Sequence, residues 1–106
     1  MQAKIEFYFG VELDKNKKPL DAAQAAIGLQ AVERLAIQLY GGVTVQDATG
    51  AWQGETHLYR EKSVILTVFS GNPYTNDDAK LAQAIKDYLG QEGVLVVHSA
   101  CRGRIM

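Results

Sequence analysis

The chain has 106 residues, 47% of them hydrophobic, and a formal net charge of −1 at pH 7 from 11 basic and 12 acidic side chains. That is the size of one ordinary domain, residues 1–106, able to bury a core, and its balanced charge removes the electrostatic case for a nucleic-acid partner. A lone cysteine, Cys101, excludes an intramolecular disulfide, and no apolar run is long enough to cross a bilayer.

The opening MQAKIEFYFG lacks the apolar stretch of a signal peptide, so the expected setting is the cytoplasm. Residues 4–12 alternate, with Ile5, Phe7, Phe9 and Val11 on one face and Lys4, Glu6, Tyr8 and Glu12 on the other. This period of two predicts a half-buried strand. Residues 14–19 form a polar turn expected to move freely. Its Lys15, Lys17 and Lys18, like Arg102 and Arg104 near the end, are clusters that would grip one small anion or simply be solvated.

A helix is predicted over 20–40, with Asp21 at the N-cap and an alanine-rich first turn. Ala23, Ile27, Ala31, Leu35 and Leu39 recur at one-turn spacing and are expected to face a sheet. Leu29, Val32, Ala36, Ile37 and Tyr40 widen the stripe, which implies deep burial or contact with another subunit. Gly41 and Gly42 end the helix.

The stretch 41–69 organises the rest. Strands are expected at 43–47 and 63–69, with a turn at Ala48, Thr49 and Gly50 and a short return at Ala51 and Trp52. Apolar residues on both faces of 63–69 suggest a central strand covered on both sides. Gly71, Asn72 and Pro73 break the chain before a helix over 76–89, capped by Thr75 or Asn76, with Asp77 and Asp78 at the positive end of its dipole. Leu81, Ala82, Ile85, Tyr88 and Leu89 would be its buried stripe, and Gly90 stops it. The last strand is expected at 94–98.

Strand, helix, strand, strand, helix, strand is the ferredoxin-like βαββαβ pattern, an α+β antiparallel sheet with two helices on one face. Ile65, Phe69, Leu95 and Val97 would leave apolar surface on the other face, which predicts pairing or trimerisation.

The polar segment between the two middle strands carries Asp47, Trp52, Glu55, His57, Tyr59, Arg60 and Glu61. Connections that long are often functional. Glu61 sits where polar chain meets a buried strand, so its carboxylate would be partly desolvated and aimed at a ligand amine, or would pair with Lys62 or Arg60. Trp52 offers a face for an adenine ring or belongs to the core. Asp47 would bind a ribose hydroxyl or cap the adjacent turn, and the residues alone favour the turn. His57, His98 and Cys101 are too few for a zinc site. Neither a GxGxxG nor a Walker motif is present, and no cofactor or metal is expected.

Four blocks carry a resemblance: Leu39-Tyr40-Gly41-Gly42, Asp47 through Trp52, Glu61-Lys62-Ser63-Val64, and Gln91 through Val96. They are similar to successive segments of phage S-adenosylmethionine (SAM) lyases, long called SAM hydrolases, and the layout resembles the PII-like superfamily of trimers that bind metabolites between subunits. The blocks also resemble a bacterial domain family of unknown function with GxTVxDxxGxW and RExS patterns. The lyase resemblance implies that an essential glutamate falls on Glu61, and that an active-site tyrosine is replaced by Trp52, which keeps an aromatic face and loses a hydroxyl. It implies a homo-oligomer, with a trimer favoured, taking SAM or an adenine nucleotide. In that setting Glu61 would be catalytic by holding the substrate ammonium, with Trp52, Tyr59, Asp47 and Arg60 as the substrate-binding set. Three readings therefore stand side by side: a SAM lyase, a sensor that binds an adenine nucleotide without turning it over, and an interaction domain without a ligand.

Overall fold

The computed structural model describes residues 2–72 and 75–106, so Pro73 of the expected breaker lies outside the described residues. Six elements run in the predicted order: β1 (Gln2–Gly10), α1 (Ala22–Tyr40), β2 (Thr44–Gln53), β3 (Leu58–Ser70), α2 (Asp77–Leu89) and β4 (Leu95–Cys101). The strands pair antiparallel in the order β2-β3-β1-β4. The expected α+β, ferredoxin-like fold is the observed one.

Alternation decides which face is buried. Ile5, Phe7 and Phe9 of β1 pair with Val68, Leu66 and Val64 of β3, and all six point under the helices. Val32 and Ala36 of α1 and Leu81, Ile85 and Leu89 of α2 close the core from above. The opposite face of β3 and β4 is open: Phe69 is 54% and Leu95 61% exposed, with Ile65 and Val97 half-buried beside them. Central β3 is thus covered on one side within this chain, not on both.

The expectation of a turn and a separate return after the second strand is corrected. No turn interrupts residues 48–50; β2 runs unbroken to Gln53 and stays in register with β3 down to the pair Gln53 and Leu58. Gly50 is there for close approach, since a Cβ on it would stand 2.7 Å from Ser63 Oγ. A glycine inside a strand often has that meaning. Because β1 stops pairing at Gly10 and Ser63, the far halves of β2 and β3 project beyond it as a two-stranded arm. At ~3.3 Å per residue, the 13 residues of β3 account for the 45 Å long axis of the molecule.

The buried stripe of α1 is also rotated from the expected one. Gly28, Val32 and Ala36 are buried, whereas Ala23 is exposed and Ile27 is 61% exposed. The small Gly28 lets α1 lie against α2, where a Cβ would come within 2.7 Å of the Tyr88 carbonyl oxygen. Tyr88 itself is exposed instead of buried. Gly41 and Gly90, both left-handed, end the helices as anticipated. Asp21 and Asn76 occupy the N-cap positions without making a side-chain capping bond. The last strand reaches Cys101, three residues beyond its expected end. Among the described residues no helix is long and apolar enough to cross a membrane.

Candidate cleft on the open face of the sheet

A cleft of about 770 Å³ opens where the arm leaves the sheet. Its floor is the open sheet face, with Tyr8 and Gly10 of β1, Glu61, Ser63 and Ile65 of β3 and Leu95 of β4. Trp52 forms one wall, residues 91–93 another, and the β1–α1 loop the rim.

Glu61 reaches the floor because residues 61, 63 and 65 share the open side of the strand. Its Oε2 accepts the Leu13 N–H at 3.1 Å. Gly10, beside it on β1, has no side chain to occupy the same space. Lys62 and Arg60, one residue to either side, alternate to the other face, so neither forms the ion pair considered for Glu61. Lys62 instead donates its N–H to the Glu12 carboxylate.

Trp52 is opposite Tyr59 in the arm, and the two rings stack at 4.4 Å between centroids and 15° between planes. The Lys17 ammonium lies 4.3 Å from the Trp52 ring centroid. Glu61, Trp52 and Tyr59 are thus brought to one face. Asp47 and Arg60 are not: the register places both on the opposite side of the β2–β3 ladder, exposed. With no turn at 48–50, Asp47 has no turn to cap. Glu55 and His57 sit at the arm's tip, where Gly54 N–H bonds the His57 carbonyl at 2.8 Å.

The β1–α1 loop, expected to be free, is fastened. Asp14 Oδ1 accepts the Asn16 and Lys18 N–H groups at 2.8 and 3.0 Å, and these bonds, with the nearby lysines, hold its carboxyl below the usual range. Lys15 N–H bonds the Gly90 carbonyl at 2.8 Å, and Gln91 Nε2 donates to the Leu13 carbonyl at 2.8 Å. The loop thereby carries Lys15 and Lys17 into the cleft. Tyr8, on the floor, donates its hydroxyl to Glu6 Oε2 at 3.1 Å; that bond, burial and the Glu6 charge raise its pKa.

Sequence reasoning missed Lys15, Lys17, Tyr8 and Gln91 as cleft residues. The lysine cluster was visible as charge, but nothing local ties Lys17 to Trp52. Arg102, of the second basic cluster, lines a separate hollow with Gln2 and Cys101. His98 is 3.1 Å from Asp78 on the helix side of the sheet. Among the described residues no three of His, Cys, Asp and Glu stand together as metal ligands.

No family model and no curated protein matches the chain. Similar solved structures include the divalent cation tolerance protein CutA1 of Thermus thermophilus, at 13% identity and a TM-score of 0.60 over 98% of this chain and 88% of that one. The periplasmic divalent cation tolerance protein CutA of Archaeoglobus fulgidus is 8% identical, with a TM-score of 0.59 over 99% and 88%. A phage SAM lyase in complex with S-methyl-5′-thioadenosine is 16% identical, with a TM-score of 0.60 over 92% and 80%. The CutA1 proteins, most numerous among these, are a group the sequence motifs did not suggest. At such identities the likeness is one of fold: this chain has the ferredoxin-like architecture of the CutA1 proteins and the phage lyase.

Proposed function

We propose that the cleft binds SAM and cleaves it to methylthioadenosine and homoserine lactone, within a homo-oligomer for which a trimer is favoured. The observation that carries this reading is the Glu61 carboxylate, fixed by the Leu13 N–H on the floor of a cleft whose wall is Trp52. A fixed carboxylate suits the substrate ammonium, and an aromatic face suits either the adenine or the sulfonium. The charged side chains lining the cleft are three carboxylates, Asp14, Glu61 and Glu92, against two ammoniums, Lys15 and Lys17. That balance complements SAM, which carries one net positive charge.

The chemistry asks little of the protein. The substrate's own carboxylate oxygen attacks its γ-carbon, the carbon–sulfur bond breaks, and the electron pair goes to the sulfonium, which leaves as a neutral thioether. No proton is transferred. Catalysis is the folding of the methionyl arm into a near-attack shape, a positioning effect, with Glu61 anchoring the ammonium end. A second subunit over Phe69 and Leu95 would bury their exposed side chains and close the cleft from the open side.

The test is incubation of the purified protein with SAM and mass detection of both products, with light scattering for the oligomer. Glu61→Gln is expected to abolish turnover while remaining folded and oligomeric. Unchanged turnover in that variant, or no product from the native chain, overturns the lyase reading. The two lysines of the rim favour a second reading, an adenine-nucleotide sensor without turnover; its signature is a rise in melting temperature with ATP and no product from SAM.

A further inference from the structure

Lys17 and a ligand ring compete for one surface. Stacked atoms sit about 3.5–4.0 Å apart, and the Lys17 ammonium stands 4.3 Å from the Trp52 centroid, in the layer a stacked base would occupy. Tyr59, which does not line the cleft, already stacks on Trp52. Asp14 spends one carboxylate oxygen on two backbone N–H groups of its own loop, and among the described residues no carboxylate lies within ion-pair distance of Lys15 or Lys17. Two cations are thus held at one rim by a loop tied to Glu61, Gly90 and Gln91.

We propose that the β1–α1 loop reads the anionic group of the cleft's ligand: as the ligand's ring reaches Trp52, Lys17 leaves that face and, with Lys15, takes up the ligand's carboxylate or phosphate. This rests on the reading of the cleft as an adenosyl-compound site. It divides the recognition of an amino-acid zwitterion between two parts of one chain, with the ammonium going to Glu61 on the sheet and the anion to the loop. The exchange replaces a weak cation–π contact with a charge-assisted one.

Trp52 is the only tryptophan, so its fluorescence reports ligand arrival directly. The full chain is titrated with SAM, ATP and methylthioadenosine, which share the adenosine ring and differ in carrying a carboxylate, phosphates or no anion. The doubly substituted Lys15→Met, Lys17→Met chain is expected to bind the anionic ligand about tenfold more weakly and methylthioadenosine as well as or better than the native chain does, since Lys17 no longer competes for the Trp52 face. Loss for SAM alone assigns a carboxylate, and loss for ATP assigns a phosphate. Lys18→Met, on the same loop but outside the cleft, is expected to match the native chain. Equal loss for all three ligands, or the same loss in Lys18→Met, overturns the loop's role while leaving the cleft reading intact. A native chain whose Trp52 responds to none of the three overturns both.

Discussion

Gly10 and Glu61 share one space: a Cβ built on Gly10 would lie 2.5 Å from the Glu61 carboxyl carbon. The two are on adjacent strands, Gly10 pairing with Ser63, and the missing side chain is what lets the glutamate lie on the cleft floor within reach of the Leu13 N–H. Gly10→Ala is therefore expected to separate function from stability. The displaced group is the end of a flexible side chain, so the fold adapts, and loss of glycine entropy in the unfolded chain offsets part of the strain. Urea unfolding should shift by less than about 1 kcal/mol, while SAM turnover falls steeply because Glu61 has been pushed away. A variant with native turnover would show that the glutamate's position on the floor is unimportant.

Trp52 and Tyr59 make a cross-strand pair near the tip of the arm, one pair before its last, Gln53 and Leu58. Such pairs contribute about 0.5–1.5 kcal/mol beyond their buried area, and a base stacked on an aromatic side chain about 1–3 kcal/mol. Trp52→Ala should therefore cost stability modestly and ligand affinity about tenfold or more. Trp52→Tyr should keep most of the affinity, because it preserves a flat face toward the cleft and supplies the hydroxyl that the lyase resemblance associates with this position. Binding followed by isothermal calorimetry separates the two variants, and equal loss in both would remove stacking from the account.

Patterns that depend on near neighbours along the chain were legible in the residues. The alternation of Ile5, Phe7 and Phe9, and of Val64, Leu66 and Val68, orders the sheet and its buried face, and Gly41 and Gly90 mark the helix ends. Glu61 and Trp52 drew attention as single residues, a carboxylate at the start of a buried strand and a lone indole, while the register that sets them on one face is a pairing between strands. What depends on contacts far apart in sequence was not legible. Gly50 reads as a turn until Ser63 is seen against it, and Gly28 carries no signal until the Tyr88 carbonyl is seen beside it. Lys17 reads as a solvated loop charge until the loop is found tied to Gly90 and Gln91. Asp47 and Arg60 lie on the opposite face of the same ladder, because strand alternation gives them the other parity.

Gly28→Ala tests the helix contact. In an isolated helix alanine is favoured over glycine by about 1 kcal/mol, yet here the added methyl meets the Tyr88 carbonyl oxygen at 2.7 Å, a backbone atom held within α2. Relief requires α1 and α2 to move apart over Leu81, Ile85 and Leu89. Overpacking of this kind typically costs about 1–3 kcal/mol, so the net outcome is destabilisation, read as a lower denaturant midpoint. An equal or higher midpoint would mean that the helices separate without loss of core packing.

Tyr40, at the end of α1, gives a pH dependence with a definite sign. Its hydroxyl is buried without a hydrogen-bond partner, and burial, reinforced by the charges of Asp78 and Asp77, raises its pKa from 10.0 to about 12. As pH rises through 10, the unfolded chain gives up this proton while the folded protein holds it. The stabilising contribution is therefore complete below about pH 10 and is lost between there and about pH 12. Tyr40→Phe removes the hydroxyl and forfeits no bond, so at pH 7 it should be neutral or stabilising by up to about 1 kcal/mol. The gap between the two proteins should then widen in the variant's favour above pH 10. Urea midpoints of both chains, measured from pH 7 to pH 11, check this; parallel profiles would show that the phenol titrates alike in the folded and unfolded states and that its burial carries no electrostatic cost.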